Sequence, residues 1–109
     1  MFLLDSGATT SILPLSDAEA LGISLDFKTK MIVRGFSGES VYGYLNYLIL
    51  ALDGIKIEAP VIFVDANVPR VLGRAGIFQK FTMVFDEKHR RTGFFSGPKN
   101  RAAFNSLFK

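Results

Sequence analysis

The sequence contains no cysteine, no tryptophan and a single histidine, His89. Without cysteine there is no disulfide scaffold, no thiolate zinc site and no cysteine nucleophile. With one histidine, a Ser-His-Asp triad within the chain would have to use His89, and a multi-histidine metal site in one chain is excluded. No metal and no cofactor is implied. No segment approaches the ~20 apolar residues that a membrane-spanning helix needs. The opening Met1-Phe2-Leu3-Leu4-Asp5 lacks a basic leader, and its apolar stretch is too short for a signal peptide, so a cytoplasmic location is the default expectation. Acidic side chains are missing from Lys88 onward. That end carries six basic residues and no acid, whereas the chain through Glu87 holds seven basic and ten acidic residues. The net charge of +3 is therefore a property of the C-terminal end. A basic tail can contact nucleic acid or an acidic partner. Here Phe94, Phe95, Phe104, Leu107 and Phe108 are interleaved with the basic residues, which suits a solvated, partly packed segment better. Nucleic-acid binding is the weakest of the functional readings.

What is present is a globular composition. A chain of 109 residues with 49% hydrophobic and 21% charged residues fits one domain with its own core. Phe2-Leu3-Leu4 reads as a strand that stops at the Asp5-Ser6-Gly7 turn. Ser16 to Glu19 has the form of a capping box, with Gly22 ending a short helix. Lys28 to Arg34 reads as a strand, Gly35-Phe36-Ser37-Gly38 as a turn and Ser40 to Leu52 as a long strand. Asp53-Gly54 is a two-residue hairpin signal. Ile55 to Glu58 alternates as a half-buried strand should, and Val61 to Val64 is apolar enough to be buried on both faces. Val71-Leu72-Gly73 reads as a short strand, Arg74 to Lys80 as a short helix, and Phe81 to Phe85 pairs with Arg90 to Phe95. Weak helical character runs from Asn100 to Lys109. His89 is expected in a surface turn, and Tyr42, Tyr44 and Tyr47 in packing. The fold class is mainly β with one or two short helices. The domain covers 1–95, and 96–109 is an unassigned basic tail.

The residues that carry chemistry stand near the start. Leu3-Leu4-Asp5-Ser6-Gly7-Ala8-Thr9-Thr10 is followed by Ile12-Leu13, and Val71-Leu72-Gly73-Arg74 lies 66 residues after Asp5. Between them is the Gly35-Phe36-Ser37-Gly38 turn of a predicted hairpin. Asp-Ser-Gly alone is also an ordinary turn. With these flanks, and the three elements in this order, the chain resembles the retropepsin-like aspartic proteases. The middle segment is closer to prokaryotic and cellular relatives than to retroviral ones.

The resemblance implies a retropepsin-like acid-protease β-barrel and an aspartic endopeptidase acting on an extended peptide or protein. Such an enzyme needs two carboxylates that share one proton. The chain has one Asp-Ser-Gly, so the second carboxylate is expected from a partner copy in a twofold homodimer. By the same resemblance Asp5 is catalytic. Ser6 braces the two loops, Gly7 permits the tight turn and Ala8 keeps the cleft floor small. Val71, Leu72 and Gly73 support the loop. Gly35, Phe36, Ser37 and Gly38 form a flap over substrate. The pattern departs from the family in two places. Retroviral members pair the Arg at position 74 with an Asp at position 9, which here is Thr9. Relatives also carry a strand and hairpin ahead of the catalytic loop, and an equivalent is expected to be missing. A catalytically inactive dimerisation or peptide-binding module on the same fold is the alternative.

Overall fold

A computed structural model describes residues 2–35, 38–52, 54–95 and 105–106. Six strands form one sheet: β1 (Phe2–Leu4), β2 (Ser11–Pro14), β3 (Met31–Arg34), β4 (Ser40–Leu52), β5 (Ile55–Val64) and β6 (Arg70–Leu72), in the order β1-β6-β2-β5-β4-β3. Strands β7 (Thr82–Asp86) and β8 (Arg91–Phe95) make a separate antiparallel pair. The fold is mainly β, and among the described residues the six-stranded sheet is open, with β1 and β3 at its edges.

The long β4–β5 hairpin is the backbone of the sheet. Its ladder runs from Gly43↔Val64 to Leu52↔Ile55, so the connection is two residues, and Gly54 takes a φ of 75° there. The predicted break between Glu58 and Val61 is absent, because β5 continues through Pro60. Pairing with β2 begins only at Val61, so on that side Pro60 has no ladder to interrupt.

The helix α1 (Leu15–Ala20) follows β2. Its start differs from the predicted capping box. Pro14 is the N-cap, no side chain caps the first turn, and Ser16 lies inside the helix. Proline's fixed φ makes Pro14 a natural stop for β2. The C-terminus is a Schellman motif. Gly22 sits at φ 69°, its N–H bonds the Glu19 carbonyl at 3.1 Å, and the Ile23 N–H bonds the Ala18 carbonyl at 2.9 Å.

Two further segments depart from the sequence reading. Phe27–Thr29 is a 3-10 turn and not the start of β3. The Asp26 carboxylate accepts the Lys28 N–H at 3.0 Å, a local bond that competes with the ladder. The Thr29 hydroxyl then accepts the Leu45 N–H at 2.9 Å, standing in for the strand partner that β3 no longer supplies. Residues 74–77 form turns leading to a 3-10 turn at Phe78–Lys80, where a helix was expected. Gly76 explains this. It has φ 74°, and a Cβ there would lie 2.8 Å from Ala59 Cα.

The core lies in two clusters on one side of β5. Leu13, Ala18, Val61 and Phe63 pack with Leu15, Ile23, Leu25 and Leu48. Ile57, Ala59, Ile77 and Phe81 pack with Leu50, Leu72, Phe78 and Met83. Of the tyrosines only Tyr44 is packed, edge-on to Phe27 with ring centroids 5.5 Å apart. Tyr42 and Tyr47 are 52% and 65% exposed, which corrects the packing expectation, and the Lys30 ammonium sits 4.0 Å over the Tyr42 ring. His89 lies in the β7–β8 turn, 2.9 Å from Asp86. No helix of the described residues is long and apolar enough to cross a membrane. The tail 96–109 lies outside the described residues apart from Asn105 and Ser106.

Candidate active site

Strand β6 lies between β1 and β2, parallel to the first and antiparallel to the second. Residues 5–10, which join β1 to β2, must therefore pass across the C-terminal end of β6. Backbone bonds fix this crossing. The Asp5 N–H donates to the Leu72 carbonyl at 3.1 Å, the Arg74 N–H to the Ala8 carbonyl at 2.9 Å and the Ala75 N–H to the Thr9 carbonyl at 2.8 Å. The crossing is so close that only glycine fits at 73. A Cβ there would lie 2.7 Å from the Thr10 carbonyl carbon and 3.0 Å from the Ala8 carbonyl oxygen.

Asp5 comes directly after β1 and is half-buried. Its Oδ1 accepts the Gly7 N–H at 2.8 Å, and its carbonyl accepts the Ala8 N–H at 3.1 Å. The loop is thus an Asx turn that aims a carboxylate from the end of a strand. Glycine at position 7 leaves the carboxylate room, since a Cβ would stand 3.1 Å from Oδ1. Ser6 and Gly7 are exposed, Ala8 is half-buried and Gly73 is buried. Among the described residues no other hydrogen bond engages the Asp5 carboxylate, and no cluster of three potential metal-ligating side chains occurs.

Ser11 was not singled out in the sequence. It is the one fully buried polar side chain among the described residues, and its Oγ accepts the Gly73 N–H at 3.0 Å. A hydroxyl opening an apolar strand was the available signal. With Thr9 in place of an Asp, Arg74 was expected to need another partner, yet it still reaches position 9, where Nη2 stands 3.4 Å from the Thr9 hydroxyl, a long contact with a neutral group.

An apolar groove of about 400 Å³ lies on the sheet face that carries Ile12, Val33, Val41, Val64 and Val71, with Val68 of the β5–β6 loop beside it and Arg34, Gly35 and Glu39 at the end of the β3–β4 hairpin. Val71 pairs with both Leu3 and Ile12, and the next residue, Leu72, holds Asp5. Gly43 lets this face close up, because a Cβ there would meet Ile62 Cγ2 at 2.8 Å and Val33 Cγ2 at 2.9 Å. At the hairpin end the Gly35 N–H donates to the Glu39 carbonyl at 2.8 Å, and Gly38 takes φ 81°. Phe36 and Ser37 lie outside the described residues. A second cavity, about 450 Å³ and mostly polar, lies beyond the 65–69 loop and is lined by Ser16, Asp65, Asn67 and Arg70. Asp5 lines neither space, but only the groove shares the strand residue that adjoins its anchor.

Comparison with curated proteins and with solved structures gave no match. A family profile described as aspartyl protease matches residues 1–76, a span that takes in β1 to β6, the Asp5 loop and the Gly73 crossing. The chain belongs to the retropepsin-like aspartyl protease family.

Proposed function

We propose that the chain is an aspartic endopeptidase that works as a homodimer, with Asp5 of each copy forming one catalytic dyad. The observation that carries this is the Asp5 carboxylate, presented from the end of β1 on a loop bonded to β6 beside an apolar groove. One chain supplies a single such carboxylate. A second copy related by a twofold axis supplies the other with the same geometry.

In that dyad the carboxylates stand about 3 Å apart and cannot both ionise, so one holds a proton. The ionised Asp5 takes a proton from water as the water oxygen attacks the peptide carbonyl carbon. The protonated Asp5 donates to the carbonyl oxygen, giving a tetrahedral diol. Collapse breaks the C–N bond as the dyad's proton passes to the amine nitrogen and one diol hydroxyl gives its proton to the ionised Asp5. The products are a carboxyl and an amine, and the dyad again holds one proton. The Gly7 N–H keeps the Asp5 side chain in one orientation throughout. Ser6, exposed beside it, braces the partner loop. Residues 35–38 form the flap, and an extended substrate lies between flap and groove as an added strand.

The test is hydrolysis of a denatured protein, with and without pepstatin, by the wild type and by Asp5→Asn. Pepstatin-sensitive cleavage that Asp5→Asn abolishes supports the assignment. A folded wild type that cleaves nothing under acidic and neutral conditions favours a peptide-binding module instead.

A further inference from the structure

Between Val64 and Arg70 the chain crosses from β5 to β6 through residues 65–69. Asn67 and Val68 line both the apolar groove and the polar cavity, so this loop is a wall that the two share. At its start the Asp65 N–H donates to the Tyr42 carbonyl at 2.9 Å. Among the described residues no backbone hydrogen bond holds 66–69 to its neighbours. At its end Arg70 forks onto Asp17, with Nε 2.6 Å from Oδ2 and Nη2 2.8 Å from Oδ1. Such a two-pronged bond fixes direction as well as distance. Asp17 is a rigid anchor. The next residue, Ala18, is buried in the core, and the helix is closed by its Schellman motif. On the other side of Arg70, Val71 is paired to both neighbouring strands.

We propose that the Asp17–Arg70 pair is a latch that holds the 65–69 wall against the groove, which makes both residues positioning residues for substrate. The proposal rests on the groove being the substrate site described above. A latch remote from Asp5 governs how well a substrate side chain fits and leaves the chemical step alone. Its loss weakens binding shared by ground and transition states, which raises KM and spares kcat. It also frees the wall amides to exchange with solvent while the β5 ladder stays closed.

The experiment compares the wild type with Arg70→Met, Arg70→Lys and the charge swap Asp17→Arg/Arg70→Asp. Two readouts are taken: steady-state kinetics on a peptide with aliphatic residues at the cleaved bond, and amide hydrogen exchange of residues 66–68 against 61–64. For Arg70→Met the expectation is a KM roughly tenfold higher with kcat within about twofold. Exchange should quicken at 66–68 and stay unchanged at 61–64. Arg70→Lys, which keeps the charge but not the fork, should fall between, and the swap should recover part of the loss. Unchanged KM, a fall confined to kcat, or exchange that quickens equally in β5 would overturn the latch. If Arg70→Met does not fold, Arg70→Lys carries the comparison. If the wild type cleaves no peptide, the peptidase assignment fails, and the exchange data still decide whether the pair holds the wall.

Discussion

The buried Ser11 hydroxyl accepts the Gly73 N–H at 3.0 Å, tying the start of β2 to the residue just past β6 across a gap of 62 positions. This bond sits beneath the loop that carries Asp5. Replacing Ser11 by Ala leaves a buried N–H without a partner, which costs about 1–3 kcal/mol. Denaturant unfolding of Ser11→Ala should show that loss, and peptide cleavage should fall further than stability alone explains. Equal stability of variant and wild type would mean that water replaces the hydroxyl.

Two glycines should respond differently to alanine. At Gly73 the added methyl meets backbone, Thr10 C at 2.7 Å and Thr10 O at 2.8 Å. At Gly43 it meets the Cγ2 ends of Ile62 and Val33 at 2.8 and 2.9 Å. Side chains yield more easily than a hydrogen-bonded crossing. Gly43→Ala should cost about 1–3 kcal/mol, as overpacking usually does, and remain folded. Gly73→Ala should lose the native thermal transition or all activity. A reversed order of melting temperatures contradicts the close crossing.

Phe63 has no exposed surface and joins β5 to Leu13 and Ala18. Truncation to Ala should cost about 3–5 kcal/mol, a large share of the ~5–15 kcal/mol that holds a domain together. Circular dichroism at room temperature should show partial or complete unfolding.

Acid should weaken the fold through two carboxylates. The Arg70 fork, by hydrogen bond first and then by charge, holds Asp17 below its ordinary value of 3.8. Hydrogen bonds from Arg91 and His89 do the same for Asp86. A depressed carboxylate binds protons more readily unfolded than folded, so its contribution is complete above 3.8 and is lost as pH falls through the folded value. Asp17→Asn should thus be less stable than the wild type at pH 6, with the gap closing below pH 3.8. A gap that widens in acid has the wrong sign.

Much of the frame is legible locally. Asp53-Gly54 between alternating strands marks the β4–β5 hairpin, and the ladder meets there in register. Gly22 ends α1 as a left-handed residue should. The misread starts have local causes too: Pro14 displaces Ser16 as the cap of α1, and Asp26 diverts Lys28 and Thr29 from β3. The Asp5 loop and the Val71–Arg74 segment are recognisable as motifs, but their crossing is a matter of topology, since β6 must insert between β1 and β2. Ser11 with Gly73, and Asp17 with Arg70, are pairs that no local periodicity reveals, because their members lie 62 and 53 residues apart.

The central claim is that Asp5 acts across two copies of the chain. Mixing the wild type at fixed, dimer-saturating concentration with an equal amount of Asp5→Asn measures this directly. Subunits that exchange freely distribute statistically, and a mixed dimer has one carboxylate. Activity per wild-type chain should fall to about half, and further as more variant is added. Activity that stays constant through the titration would show that each chain works without a partner's Asp5, and would contradict the shared dyad.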